Sequence, residues 1–243
     1  MASERSSISS VFSSTNPLTR FAAAAIGIWV VVEGALRRGG VQILADVVGS
    51  ARGADMILVG IGFPLLVYGL AQWGIRRGIS PSDWEYNISI QSVGLGFASV
   101  IVYFLLFGAI SAVYTQVIGA APSAAAGASL VENASETLWV AVVFLLVNGI
   151  VVPITEELAW RGVVQTALME SYGIYVGGAI TAIAFVLKHL IVDAAAPFLR
   201  VASLVILAFI LSGLRVRYGT VSSTVAHLAA NGLASAAVLF AAL

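Results

Sequence analysis

Apolar stretches about as long as a bilayer is thick recur along this chain, and they constrain its fold more than any other feature. A helix needs roughly 20 mostly apolar residues to cross the hydrocarbon core. Seven stretches meet or approach that length: about Phe21–Leu36, Met56–Ile75, Ser92–Ile118, Leu138–Leu168, Tyr175–Ala196, Phe198–Leu214 and Val221–Leu243. Val41–Val48 is apolar but too short to cross, and reads as an interfacial helix or as the end of a tilted first span. Charged residues make up 10% of the chain and hydrophobic ones 60%, against about 25% charged in a soluble domain. Water cannot solvate a surface of that composition. The expectation is an all-α, polytopic membrane helical bundle of about seven transmembrane helices, with membrane lipids as its solvent.

Twelve basic and twelve acidic residues give a formal net charge of zero, so no basic excess points to nucleic acid. The absence of cysteine removes disulfides, thiolate metal sites and a cysteine nucleophile. Residues 1–20 are polar and Ser-rich and read as a tail, 21–136 as the N-terminal transmembrane helices, and 137–243 as the helical core that carries the chemistry. Arg5, Arg20, Arg76, Arg77, Arg161, Arg215 and Arg217 fall on one side, and Arg37, Arg38, Arg52 and Arg200 on the other. The excess favours a cytoplasmic N-terminus in the cell membrane.

Ionisable groups inside a membrane are costly and default to functional hypotheses. The informative ones cluster in three places. Glu156, Glu157 and Arg161 lie in Pro153-Ile-Thr-Glu-Glu-Leu-Ala-Trp-Arg-Gly162. Lys188 and His189 close Phe185-Val-Leu-Lys-His189, and His227 and Asn231 sit inside the last span. Residues four apart share a helix face, so Glu157 pairs with Arg161, Phe185 with His189, and His227 with Asn231. Glu156 points about 100° away from Glu157 and is free for another partner. Glu33 and Asp55 read as interfacial carboxylates, and Trp73, Trp84 and Trp139 as belt residues. Gly94, Gly96, Gly177 and Gly178 read as helix-packing positions.

Amide hydrolysis by an activated water fits this set. A carboxylate takes a proton from water, and a nearby histidine shares in this or acts as acid. A second histidine and an asparagine amide can donate to the oxyanion. Glu156, His189 and His227 could equally hold a zinc ion with water at an open position, and the spacing does not choose. For Asn231 a helix–helix hydrogen bond is the structural rival.

At these residues the chain resembles the CPBP family of intramembrane proteases, the type II CAAX prenyl endopeptidase and bacteriocin-processing group. That family carries Glu-Glu-x-x-x-Arg, Phe-x-x-x-His and His-x-x-x-Asn on successive helices. Here they read Glu156-Glu157-Leu-Ala-Trp-Arg161, Phe185-Val-Leu-Lys-His189 and His227-Leu-Ala-Ala-Asn231, with Trp160 and Gly162 also matching. The resemblance covers about Leu138 to Leu239. It implies that Glu156 activates the water with His189, that His227 and Asn231 support the oxyanion, and that Glu157 and Arg161 are structural partners. The implied substrate is a peptide or membrane protein cut near the membrane surface. Lys188 departs from the family pattern, where that position is usually small or apolar; if turned outward it snorkels.

The roles carry a geometric condition. If the fourth helix stopped at Pro153, Glu156 and His189 would lie at opposite edges of the bilayer. The helix must continue through Pro153, kinked, to about Leu168. The competing function is a non-catalytic immunity or scaffold protein that retains the site. A transporter would show repeated broken helices in two halves, and a retinal protein would need a lysine in its last span, which has none.

Overall fold

The computed structural model describes residues 16–119, 137–193 and 198–243. Most of the expected polar tail, the loop beyond Gly119 and the end of the expected fifth span lie outside the described residues. Within them, seven helices are long and apolar enough to cross a membrane: α1 (Pro17–Val48), α2 (Ala51–Arg76), α3 (Ile90–Ile118), α4 (Leu138–Tyr172), α5 (Ile174–Val192), α6 (Phe198–Tyr218) and α7 (Thr220–Ala241). The protein is an all-α integral membrane bundle.

Helix α1 begins where Asn16 Oδ1 accepts from the Leu18 amide at 3.0 Å, with Pro17 as its first residue. It does not stop at Leu36. Ala35–Gly40 forms a stretch of wider π turns, and Val41–Val48 resumes the α-helix. The short apolar segment is thus the far end of the first helix, and Arg37 and Arg38 lie within it. Gly49, at φ 73°, ends the helix in the left-handed region open to glycine. Ser50 Oγ then accepts from Gly53 N at 3.0 Å to start α2.

Helix α4 meets the geometric condition. It runs unbroken through Pro153 to Tyr172, 35 residues in all. Its length is roughly 50 Å at about 1.5 Å per residue, more than the ~30 Å of a hydrocarbon core. Two π segments flank the proline, Val147–Val151 and Glu157–Val164. Proline has no N–H to give to the preceding turn, and widening that turn takes up the missing bond. The second π segment begins at Glu157.

Helix α7 packs against α3, α4 and α6; α5 packs against α6 and the end of α4, where α1 also lies. An aromatic series crosses the bundle. Phe63 of α2 meets Trp29 of α1 at 4.9 Å, Trp29 meets Trp160 of α4 at 6.2 Å, and Trp160 meets Phe185 of α5 at 5.3 Å. Phe185 in turn lies 6.2 Å from the His227 ring of α7. Helix α3 instead exposes Phe97, Ile101 and Leu105, a face suited to lipid.

Of the tryptophans expected at the interface, Trp139 lies over Gly53, Trp84 lies beside Gly162, and Trp73 meets Phe21 edge-on at 4.8 Å. Close approach explains three of the four expected packing glycines. A Cβ on Gly177 would sit 2.5 Å from the Met169 nitrogen, one on Gly96 2.8 Å from the Ser222 carbonyl oxygen, and one on Gly178 3.2 Å from Val216. A Cβ on Gly94 would meet nothing within 4 Å. Gly177→Val therefore has to push α5 off the α4 backbone, an overpacking cost of about 1–3 kcal/mol or more. Thermal unfolding in detergent should show a lower midpoint for Gly177→Val and an unchanged one for Gly94→Ala.

Candidate active site

The three motifs meet at the middle of the bundle. Helix α4 presents Glu156 and Glu157 on successive residues, both buried, with Arg161 wholly buried one turn on. Arg161 Nη1 donates to Glu157 Oε1 at 3.0 Å, as the four-residue spacing implies. The Arg161 guanidinium also lies 4.3 Å from the Phe185 ring centroid, a cation–π contact. A buried guanidinium with one carboxylate and one aromatic face is compensated by both.

His227 joins the two glutamates. Its Nδ1 lies 2.9 Å from Glu157 Oε1 and its Nε2 3.9 Å from Glu156 Oε2. A carboxylate only accepts, so Nδ1 carries the proton and donates to Glu157. The neutral ring then presents a lone pair at Nε2 toward Glu156, and presents an N–H there only as imidazolium. A carboxylate thus orients the imidazole, as in catalytic triads.

His189 reaches the cluster through Phe185. Its Nδ1 lies 2.9 Å from the Phe185 carbonyl oxygen, and its ring lies 4.7 Å from the Phe185 ring. That carbonyl also only accepts, so Nδ1 donates and Nε2 is left with its lone pair. Both histidine rings therefore flank one phenylalanine. Asn231, one turn beyond His227, donates from Nδ2 to the Asn148 carbonyl oxygen at 3.2 Å. Asn148 lies in the first π segment of α4, and its own amide donates to Ser235 at 3.0 Å. The helix–helix bond weighed for Asn231 is present, and its second amide N–H remains for another acceptor. His189 and Asn231 are half-buried, whereas Glu156 and His227 are buried.

Lys188 does not snorkel. Its side chain is fully buried, with Nζ 2.6 Å from Glu156 Oε1 and 3.0 Å from Glu33 Oε2. Glu33 is not exposed either. It is buried and accepts from Trp29 Nε1 at 2.8 Å and from Arg37 Nε at 3.0 Å. Arg37 Nη1 continues to Asp55 at 2.7 Å. The sequence reading took Glu33 and Asp55 for interfacial carboxylates and Arg37 for a residue beyond the first span, because that span was ended at Leu36. Read through Arg37, the helix places Trp29, Glu33 and Arg37 at successive four-residue steps, and that periodicity was the available signal.

Glu156, His189 and His227 do not adopt the arrangement of a zinc site. Among the described residues no group of three or more His, Cys, Asp or Glu side chains could hold a metal ion. The physical reason is at Glu156: its Oε1 already carries the Lys188 ammonium at 2.6 Å, so a divalent cation would have to sit against a fixed positive charge.

The end of this site is held by the segment between α2 and α3. Arg215 of α6 donates from Nε to the Arg161 carbonyl at 3.2 Å and from Nη2 to the Asp83 carbonyl at 2.6 Å. It also pairs with Glu85 at 2.6 Å. Gly219, at φ 84°, opens α7 beside Glu85, and a Cβ there would lie 2.7 Å from the Glu85 carbonyl oxygen.

Residues 137–233 match the family model described as type II CAAX prenyl endopeptidase Rce1-like, in agreement with the resemblance carried by the three motifs. No curated protein and no solved structure matches the chain. Arg161→Met should leave Glu157 as an uncompensated buried charge and cost about 3–5 kcal/mol, and adding Glu157→Gln should recover part of it. Thermal midpoints of the two variants in detergent measure this.

Proposed function

We propose, for a chain whose residues 137–233 match the Rce1-like type II CAAX prenyl endopeptidase model, an intramembrane endopeptidase that cuts a peptide bond near the membrane surface with a water activated by Glu156 and His189. The family supports the coarse statement, a CAAX-type membrane protease that sits in lipid and acts on a peptide. The finer reading rests on one observation. Glu156 is buried with its two oxygens in different environments, Oε1 on Lys188 at 2.6 Å and Oε2 facing His227 Nε2 at 3.9 Å.

The reacting water belongs against Oε2, because Oε1 is taken. Glu156 accepts one proton from it as the water oxygen attacks the scissile carbonyl carbon. A C–O bond forms and the carbonyl π pair moves to oxygen. The Nε2 lone pair of His189 orients the water through its second hydrogen. The Asn231 amide donates to the oxyanion; His227, whose Nδ1 proton is held by Glu157, adds a second donor there only in the form protonated at Nε2. The tetrahedral intermediate then collapses: the C=O bond re-forms, the C–N pair leaves on nitrogen, and that nitrogen takes the proton from Glu156. Glu157 and Arg161 position His227.

The N-terminus is assigned to the cytoplasmic side of the cell membrane. Setting aside the buried Arg161 and Arg215 and the ion-paired Arg37 leaves five arginines against three, so the excess keeps its sign. Because the chain has no cysteine, a cysteine introduced at Ser3 should react with an impermeant maleimide only after cells are permeabilised; labelling of intact cells would reverse the orientation.

The non-catalytic scaffold reading draws on the same Lys188 contact, since a fully ion-paired glutamate can serve structure alone. An internally quenched peptide ending in a farnesylated CAAX sequence separates the two. Glu156→Gln and His189→Ala should each lower kcat by about 10²–10⁴-fold while the thermal midpoint in detergent is retained. Cleavage by Glu156→Gln at the unchanged rate would sink the mechanism.

A further inference from the structure

We propose that Lys188 is a positioning residue for Glu156, and that Glu33 is the second counter-ion that lets Lys188 hold this place while Glu156 gains and loses a proton. The inference rests on the reading of Glu156 as the base.

The argument begins with the cost of the ammonium. A buried cation without a partner is strongly unfavourable, and the Lys188 side chain is fully buried. One carboxylate would satisfy a structural lysine. Lys188 has two, from different helices: Glu156 of α4 at 2.6 Å and Glu33 of α1 at 3.0 Å. They differ in what they can do. Glu156 has its other oxygen directed to His227. Both oxygens of Glu33 are occupied, Oε1 by Arg37 and Oε2 by Trp29 and Lys188.

When Glu156 takes the proton of water, its negative charge disappears. A lysine paired with Glu156 alone would then be an isolated cation in a low-dielectric interior. Glu33 keeps a cation of its own when Glu156 is protonated, because Arg37 is paired with it, and Arg37 is held in turn by Asp55 at 2.7 Å. Lys188 can therefore stay in place in both protonation states and keep Glu156 Oε1 fixed, so that proton transfer occurs at Oε2. Successive residues on a helix point about 100° apart, so Lys188 faces α1 and α4 while the adjacent His189 turns toward Phe185.

The charged and titratable groups around Glu156 are Glu33 and Arg37 of α1, Asp55 of α2, Glu157 and Arg161 of α4, Lys188 and His189 of α5, and His227 of α7. The Arg215 side chain of α6 is directed to Glu85 and the Asp83 carbonyl. Two of these contacts bear on Glu156 with opposite sign. Lys188 favours its charged form, whereas Glu33 repels that charge and also draws the ammonium away.

Infrared titration of the purified full-length protein reads this without a substrate. The protonated-carboxyl band of Glu156 is assigned by its loss in Glu156→Gln. In Lys188→Met its titration midpoint should rise by about one to three pH units, the range for loss of an opposite charge at contact. In Glu33→Gln it should fall, and in Lys188→Arg it should stay near the parent value. Midpoints that stay put in both neutral variants, or move in the same direction, would overturn the proposal. If either single variant does not fold, Lys188→Met combined with Glu33→Gln removes a cation and an anion together, and its midpoint should still rise; an unmoved one would overturn the proposal. With the farnesylated peptide, Lys188→Met should lower kcat at unchanged KM and Lys188→Arg should restore most of it. Unchanged cleavage by Glu156→Gln would count against Glu156 as the base, and absence of cleavage by the parent protein against the peptidase reading; the titration is independent of turnover and tests the Lys188–Glu33 arrangement separately.

Discussion

A carboxylate inside a lipid-embedded bundle must be answered by a cation at contact distance, because neither water nor lipid can solvate it. In this protein that requirement is met by a line of alternating charges rather than by one pair. Asp55, Arg37, Glu33, Lys188 and Glu156 follow one another at 2.6–3.0 Å. His227 then bridges Glu156 to Glu157, and Arg161 ends the line. The members come from α2, α1, α5, α4 and α7. No single helix could carry them in contact, so the bundle and the charge network depend on each other. The aromatic series from Phe63 to His227 crosses the same helices and packs beside the network.

The network needs a fourth helix that an ordinary reading of proline would end. Pro153 cannot complete the preceding turn, yet α4 continues through it because the turns on either side widen. Widened turns shift the face on which later residues project, and Glu157 opens the second of them. The first frees carbonyl oxygens from regular pairing, and Asn231 takes up the one on Asn148. π segments of this kind are commonly found at functional sites. In α1 the same device carries the helix past Leu36 and brings Arg37 to Glu33 and Asp55.

The legible part of the site was the part encoded at short spacing. Glu157 and Arg161 lie four apart and pair as expected, and the order of the three motifs along the chain was enough to nominate Glu156, His189, His227 and Asn231 as one cluster. Glu33 and Lys188 were misread for a physical reason. Each sits near the end of an apolar stretch, where a charged side chain ordinarily escapes to the interface. Whether it escapes depends on a partner 155 positions away along the chain, Lys188 for Glu33, and no local pattern contains that information. The zinc alternative stayed open on sequence for the same reason. The donor types suit zinc, and nothing local in the sequence tells that the Lys188 ammonium lies on Glu156 Oε1.

Composition and hydropathy alone determined that this chain lives in lipid as a bundle of about seven helices, since a chain 60% hydrophobic and 10% charged has no other stable solvent. Motif spacing and order, with the family resemblance they carry, nominated Glu156, His189, His227 and Asn231 as one group. The tertiary structure decided which cation meets which carboxylate. It placed Lys188 inward on Glu156 and Glu33, oriented His227 through Glu157, and drew the first helix into the site. These are contacts between helices, set by packing and by the energy of burying charge.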